Sequence, residues 1–342
     1  MTLTAIVLNN HLITWNAIIV AIAAAVCFCM TAALFTANGG KLSALWLLLP
    51  LSIVLSLPLA RFLHWYCHSE QYAGFASAMS DYGSGKYCLP GVIAGTALAA
   101  LLVRLFGLTQ NLPRLYDCLA PGAALGIALI RFSEIFTASD RGKAVVTDPG
   151  FQRLPFSSEV VSAGGPSQWR MATFFLQFMM MMLVFVLVLI FFLKRRRWPM
   201  KKNLPRNGHV ALLFLGLLSA VDLVLDSSRY DASFLRLNGF VSMVQIFSAV
   251  TLLAVLVIYS RRSISVNGLR GYHIALWLLF LLAVAGTGVM EYLVQRYGNS
   301  YLSCYLVMSL TSALMALSGR LMYRSVCSRE RKRRTNGPLK RY

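Results

Sequence analysis

The sequence predicts an all-α membrane protein that crosses the bilayer many times. Hydrophobic residues make up 58% of its 342 residues and charged residues only 13%, whereas a soluble domain is roughly a quarter charged. Nine apolar windows are each close to the length of about 20 residues that crosses a hydrocarbon core, and basic residues cluster between them. The predicted spans cover residues 11–36, 42–65, 88–107, 112–135, 169–193, 209–226, 239–260, 272–296 and 301–323.

The order of the spans divides the chain into three predicted parts. Residues 1–262 would form a core of seven spans, residues 263–324 two additional transmembrane helices, and residues 325–342 a basic cytoplasmic tail. The first span is too long for the apolar centre of a cleavable signal peptide and lacks a basic start. The segment 137–168 combines mixed charge with Gly and Pro, so we expect a small ordered head there.

The basic residues predict an orientation rather than a nucleic-acid partner. The net charge is +20, and Lys and Arg cluster in residues 194–206, 261–270 and 324–342, which are alternate short loops and the tail. Such clusters mark the cytoplasmic side of a membrane protein, and attraction to anionic lipid is a secondary effect. We therefore expect the N-terminus and the head outside and the C-terminus in the cytoplasm.

The Cys and His residues predict neither a metal nor a cofactor. The five His residues have no zinc-like spacing, and the two Cys of the first span fit small apolar packing better than metal binding. Cys67 and Cys88 flank one predicted external loop, so a disulfide between them is an open possibility in an oxidising compartment.

Ionisable residues lie at the outer ends of three predicted spans. An ionised side chain at bilayer depth costs about 2.5–3.5 kcal/mol on insertion scales, so such residues usually face a bundle interior or a polar cavity. Within each span their spacing puts them on one helix face. They are Arg61 in span two, Arg131 and Glu134 in span four, and Asp222, Asp226 and Arg229 in span six.

Two interpretations of these groups stay open. The first is a set of interior salt bridges that hold helices in register. The second is a polar cavity in the outer half of the membrane, where Arg residues bind an anionic lipid head group and carboxylates do acid–base work. The shared depth of the three clusters favours the cavity.

Residues 115–136, LYDCLAPGAALGIALIRFSEIF, resemble a segment of bacterial prolipoprotein diacylglyceryl transferases that reads D-x-x-A-P-x-x-x-L-G-x-x-x-G-R. Asp117, Pro121, Gly126 and Arg131 stand at matching offsets. Four further segments are similar to motifs of the same family in the same order, over roughly residues 50–260. They are residues 91–95, 164–169, 222–231 and 238–250.

The resemblance implies transfer of a diacylglyceryl group from phosphatidylglycerol to the thiol of a lipobox Cys in a preprolipoprotein, with release of glycerol phosphate. It places the protein in the bacterial plasma membrane, with a head between spans four and five and no cofactor. The implied catalytic residues are Arg131, which would contact the phosphate, Glu134, Asp226 and Arg229. The implied substrate-binding residues are Arg61, Asp222, Ser167, Gln168 and Gln245.

The chain also departs from the family's motifs. Leu89-Pro90 stands where the family has its essential His, Glu134 at the position of an Asn, and Asp222 at that of an Arg. An active transferase would use Glu134 or Asp222 as the base, with His64 or His68 in place of the missing His. The alternatives are a catalytically silent relative that binds phospholipid or lipoprotein, and a small-molecule transporter, which the lack of internal repeats disfavours.

Overall fold

The computed structural model describes residues 4–8, 11–81, 87–109, 111–137, 139–160, 167–197, 208–235, 239–298 and 301–335. Within these residues, nine long helices confirm the predicted all-α polytopic class. Short elements lie between them. The long helices are α1 (Trp15–Ala37), α2 (Leu42–Cys67), α4 (Leu89–Leu105), α5 (Leu112–Ser133), α7 (Thr173–Arg197), α8 (His209–Leu225), α9 (Met243–Asn267), α10 (Gly271–Tyr297) and α11 (Tyr301–Thr335). The short elements are β1 (Thr4–Leu8), β2 (His11–Thr14), α3 (Phe75–Ser80), α6 (Pro149–Gln152), β3 (Ser157–Val160) and β4 (Gln168–Met171).

Seven of the helices are long and apolar enough to cross a membrane. They are α1, α2, α5, α7, α9, α10 and α11. The other two, α4 and α8, are apolar but have 17 residues each, which is at the lower limit for a perpendicular crossing. The protein is therefore a multi-pass membrane protein.

Three predicted span boundaries are corrected by local backbone structure. Residues 11–14 form strand β2, which pairs with β1, so the first helix starts later than expected. Residues 168–171 pair with Ser157–Val160 as strand β4, which delays α7. Helix α9 starts at Met243 because Gly239 adopts a φ of +62°, a left-handed conformation that ends regular structure, and Phe234 bridges Ser242.

The chain divides into two compact units. The first comprises residues 1–214 and 225–244, and the second residues 215–224 and 245–342. In the first unit α2 packs on α4 and α1 packs on α5. A side chain at Gly91 would meet the Cα of Ala60 at 2.4 Å, and one at Gly95 would meet the Cα of Ser56 at 2.4 Å. These glycines allow the backbones of α2 and α4 to approach closely, as small residues do between membrane helices.

The carboxylate of Asp117 in α5 caps the start of α8. It accepts hydrogen bonds from the backbone N–H groups of Gly208 (2.7 Å), Val210 (2.8 Å) and Ala211 (2.9 Å). A helix leaves its first four N–H groups without helical partners, and a negative charge there is stabilised by the helix dipole. This residue of the family-like motif therefore has a structural role.

The head is built from two separate connections of the chain. Residues 141–146 follow α5 and pair on one side with residues 169–171 and on the other with residues 228–230, which follow α8. The N–H of Gly142 donates to Met171 O (2.7 Å), that of Lys143 to Ser228 O (2.8 Å), and that of Tyr230 to Arg141 O (2.7 Å). These bonds fix the position of residues 141–146 in the head.

The second unit holds a buried polar cluster where α9, α10 and α11 approach each other. His273 accepts from the N–H of Arg270 at Nδ1 (3.1 Å), so the neutral ring carries its proton on Nε2 and donates to Ser263 Oγ (2.8 Å). Ser325 Oγ also bonds to Ser263 Oγ, at 2.7 Å. In this tautomer His273 cannot accept a proton from Ser263, so the cluster ties helices together and is not a nucleophile with its base.

Candidate functional site

The end of α5 brings the first site residues into the head. Arg131 lies in the last turn of α5 and is 8% exposed. The helix then tightens into a 3₁₀ turn over Glu134–Phe136, and the chain enters the head. The side chain of Arg131 thereby points to the interface between the bundle and residues 139–142.

Asp140 joins two arginines with its two carboxylate oxygens. Its Oδ2 accepts from Arg131 Nη1 at 2.5 Å, and its Oδ1 pairs with Arg229 Nη2. Asp140 is 2% exposed and has a φ of +57°, an uncommon value for a residue other than glycine. Such strain persists only where the surroundings fix the residue, and it is concentrated at functional sites.

Arg229 is the centre of the ion cluster. Besides Asp140 it contacts Asp226 Oδ1 through Nη1 (3.1 Å) and Asp231 Oδ1 through Nε (3.2 Å). Asp226 also accepts a short hydrogen bond from Ser242 Oγ. The ion cluster, defined as Arg131, Asp140, Asp226, Arg229 and Asp231, therefore joins residues from the α5–α7 and α8–α9 connections.

The charges within the ion cluster hold one another in their ionised forms. Burial alone would lower the pKa of the Arg229 guanidinium, but the carboxylates of Asp140, Asp226 and Asp231 together raise it well above its usual value. Burial alone would raise the pKa of Asp231, but the charge and the hydrogen bond of Arg229 lower it. With two guanidinium groups against three carboxylates, the ion cluster is formally anionic.

Glu134 lies beside the ion cluster without a salt bridge to it among the described residues. Its Oε2 accepts a hydrogen bond from Thr137 Oγ1 at 2.5 Å, and it interacts electrostatically with Asp140, Arg131 and Arg229. Among the described carboxylates next to Arg131 and Arg229, Glu134 therefore differs from Asp140, Asp226 and Asp231 in making no salt bridge to either arginine.

Two cysteines, Cys67 and Cys88, interact electrostatically with Asp226 of the ion cluster. Cys88 is the N-cap residue of α4; its N–H donates to Ala60 O (3.2 Å), and its thiol interacts electrostatically with Cys67, Asp226, Arg229 and Arg131. Burial raises the pKa of the Cys88 thiol to about 12, so it is neutral at physiological pH. In the structure Cys67 and Cys88 are free thiols.

Arg61 binds a different part of the chain. It is fully buried; its Nε donates to Ala78 O (2.7 Å) and its Nη2 pairs with Asp81 (2.9 Å). Its guanidinium also lies over the ring of Tyr72, 5.2 Å from the centroid. Arg61 thus holds the connection between α2 and α4 in place.

His64 lies one turn after Arg61 and is 8% exposed. Its ring stacks on His68 at 4.4 Å between centroids, and its Nδ1 is 3.3 Å from Tyr72 Oη. His64 and His68 therefore lie at the end of α2, where the connection to α4 begins.

The comparison with protein families identifies the chain's relatives. A family model described as prolipoprotein diacylglyceryl transferase matches residues 4–261. The chain belongs to this family. No match is found among curated proteins. The family is one of transferases that act on lipid and lipoprotein substrates in membranes, and the match includes every element of the ion cluster.

The remaining residues implied by the resemblance to the transferase family lie outside the ion cluster or in the other unit. Ser167 and Gln168 are exposed at the start of β4, where Gln168 Oε1 accepts from Arg170 Nη2 (3.2 Å). Asp222 and Gln245 belong to the second unit, and Gln245 Nε2 donates to Leu223 O (3.3 Å). Gly164 and Pro166 of the family-like segment 164–169 lie outside the described residues.

The structure adds residues that the sequence comparison did not assign. Asp140 and Cys88 join the site from segments far from Arg229 in sequence, whereas Asp231 lies two residues after Arg229 in the family-like segment 222–231. In the described part of the chain, no group of His, Cys, Asp and Glu is arranged to hold a metal ion.

Proposed function

We propose that the protein transfers a diacylglyceryl group from an anionic phospholipid of the phosphatidylglycerol type to the thiol of a lipobox Cys in a preprolipoprotein. Membership of the transferase family supports the reaction class. Arg131 and Arg229 bind the phosphate, Asp226 positions Arg229, and Glu134 is the base that accepts the thiol proton. The thiol sulfur then forms the thioether bond while the bond from the glyceryl carbon to the phosphate oxygen breaks.

One observation carries the assignment of the phosphate site. Arg131 and Arg229 each hold one oxygen of the same carboxylate, that of Asp140. The two guanidinium groups are therefore set at the spacing of two oxygens on one anionic centre. A phosphodiester presents two such non-bridging oxygens, and arginine is well suited to phosphate recognition.

In this proposal the substrate phosphate exchanges with Asp140. Both carry a single negative charge, so the exchange leaves the formal charge of the ion cluster unchanged. Residues 1–262 form the transferase core, residues 263–324 add two helices and residues 325–342 a cytoplasmic tail. Ser167 and Gln168 complete the proposed contacts with the lipid and the lipobox peptide, and the head faces outward from a bacterial plasma membrane.

A second candidate function is a catalytically silent relative that binds phospholipid. It is favoured by the occupation of both arginines by Asp140 and by Leu89-Pro90 where the family has its essential His. A transferase assay separates the two functions. The purified chain is incubated with phosphatidylglycerol labelled in its acyl chains and with a lipobox peptide.

We expect a thioether-linked lipopeptide from the wild-type chain, and at least a tenfold lower rate from Arg131→Lys, which keeps the charge but loses the paired donor geometry. Arg153→Lys, an exposed head residue, is the matched control and should retain the rate. If the well-folded protein binds the labelled lipid but forms no lipopeptide, the transferase function is wrong and the lipid-binding function takes its place.

A further inference from the structure

Arg141 is a buried cation whose hydrogen-bonding capacity is largely unused. The residue is 6% exposed, and within the described part of the chain its Nε and Nη1 have no hydrogen-bond partner. Its Nη2 donates to Thr137 O (2.7 Å), and its guanidinium lies over the ring of Phe174, 4.3 Å from the centroid. Buried polar atoms are nearly always satisfied, so such orphaned donors need an explanation.

The neighbouring carboxylates do not satisfy these donors. Asp140 and Asp231 bind the two arginines of the ion cluster, and Glu134 accepts from Thr137. The pKa of the Arg141 guanidinium is lowered, because the effect of burial exceeds that of the charges of Glu134, Asp140 and Asp231, which raise it. The carboxylates thus keep Arg141 charged from a distance and leave its Nε–Nη1 edge open to a ligand.

Gln177 is a second side chain with unsatisfied polar atoms, and it lies about one turn of α7 beyond Phe174. Gln177 is 1% exposed, and neither atom of its amide has a hydrogen-bond partner among the described residues. It follows Phe174, on which Arg141 stacks, by three residues, a rise of about 4.5 Å along the helix. The helix begins in the head, so Gln177 lies deeper in the bundle than Arg141.

We propose that Arg141 and Gln177 form a second lipid-binding site, in which Arg141 binds a phosphate and Gln177 a less polar group below it. The Nε–Nη1 edge of a guanidinium matches two phosphate oxygens, and an amide donor matches the ester carbonyl of a glycerolipid. The order along α7, cation first and amide deeper, fits a phospholipid better than a free phosphate ester. A shift of residues 139–142 opens the site, since its polar atoms are buried.

This inference rests on the proposed function for its ligand class, a glycerophospholipid, and adds residues that the ion cluster does not contain. The probes are dioleoylphosphatidylglycerol, dioleoylglycerol with the same tails and no phosphate, and water-soluble glycerol phosphate. Each is added to the purified full chain in maltoside micelles, and the unfolding temperature is measured. A ligand that binds only the folded chain raises this temperature, by about 3 °C or more near 100 times its Kd.

We expect phosphatidylglycerol to raise the unfolding temperature of the wild-type chain and dioleoylglycerol to have little effect. Arg141→Gln should lose at least half of the rise, whereas the matched control Arg153→Gln should keep it. Glu134→Gln should increase the rise, because it removes a nearby negative charge that repels the phosphate. Gln177→Leu should unfold at a higher temperature without lipid, since an unsatisfied amide is replaced by an apolar group, yet gain less from phosphatidylglycerol.

The result with glycerol phosphate shows whether the site requires an intact lipid or only its phosphate head group. Stabilisation by phosphatidylglycerol alone assigns the site to intact lipid, and stabilisation by glycerol phosphate as well assigns it to the head group in either form. An equal rise in wild type and Arg141→Gln, or no rise in either, overturns the proposal. Should Arg141→Gln not fold, Arg141→Lys takes its place, with a smaller loss expected because the charge remains.

The outcome is independent of catalysis. A wild-type chain that makes lipopeptide in the transferase assay but shows no Arg141-dependent stabilisation refutes the second site and leaves the proposed function standing. A chain that shows the stabilisation without turnover retains the second site and loses the transferase function.

Discussion

At the scale of single residues, Asp140 decides the state of the ion cluster. It is the one carboxylate among the described residues that contacts both Arg131 and Arg229, and its backbone is held as well, because its N–H donates to Asp231 (3.1 Å) and its carbonyl accepts from Phe174 (3.0 Å). These bonds explain how a non-glycine residue is kept at a positive φ.

Asp140→Asn tests this role. Removing one charge of a buried ion network leaves its partners uncompensated, which costs about 3 kcal/mol or more. We expect a clear fall in unfolding temperature in micelles and partial recovery with phosphatidylglycerol, which would replace the lost anion. Glu159→Gln, an exposed change of the same kind in the head, should leave stability unchanged; an equal loss there would count against the special position of Asp140.

Asp231 predicts how the head responds to acid. Its pKa is lowered by Arg229, so its ionised form stabilises the fold above its ordinary pKa of about 4. This contribution is lost as the pH falls through the lower pKa of the folded state. We expect wild type to be more stable than Asp231→Asn at pH 6, with the difference shrinking as the pH falls below about 4. A constant difference would mean that the charge of Asp231 has no part in it.

At the scale of helices, two family-like motifs have packing roles. Residues 91–95 match the family through glycines that touch the α2 backbone, and Asp117 matches through its cap on α8. Both motifs therefore match the family at positions that pack or cap helices.

Gly95→Ala is the sharpest test of the contact between α2 and α4. The new Cβ would lie 2.4 Å from the Cα of Ser56, and overpacking of this kind costs about 1–3 kcal/mol. Gly288→Ala in α10 is the matched control, since nothing lies within 4 Å of its added Cβ. That control should raise stability slightly, because alanine favours a helix. The opposite order of the two variants would refute the close contact.

Asp117→Ala should loosen the start of α8. Three buried N–H groups would lose their acceptor, at a cost of roughly 1–3 kcal/mol. Hydrogen exchange at Gly208, Val210 and Ala211 should become faster, while exchange in the middle of α7 stays slow. The control is Asp148→Ala, which removes an exposed cap from one N–H group, that of Gly150, and should alter only the head.

At the scale of the whole molecule, hydropathy predicted the helices well and the site only in part. Apolar windows report directly on spans, because each needs a set length of apolar residues. Arg131, Asp226 and Arg229 were identified because charge is rare in such windows. Asp140 and Asp231 were not, because they lie in polar connections where charge is ordinary. Asp231 is two residues from Arg229 in sequence, whereas the pairing of residues 141–143 with residues 228–230 holds Asp140 beside Arg229.

The orientation of the whole chain in the membrane can be tested by labelling introduced cysteines. With the head outside, Arg153→Cys should be labelled by a membrane-impermeant maleimide on intact cells, above the background of the unsubstituted chain. Leu269→Cys, exposed between α9 and α10, should be labelled only after permeabilisation. The reverse pattern would invert the proposed topology and place the ion cluster on the cytoplasmic side.

The construction of the head from two distant connections sets an order for its biosynthesis. Asp140 and Asp231 are 91 residues apart, and α7 and α8 are synthesised between them. A nascent chain released from the ribosome before residue 226 therefore has Arg131 and Asp140. It lacks Arg229 and the other residues of 228–230, which bond to residues 141–143 in the full chain. The head can make these contacts only after α8 has been synthesised, so we expect residues 139–146 to be cleaved by protease faster in such an intermediate than in the full chain.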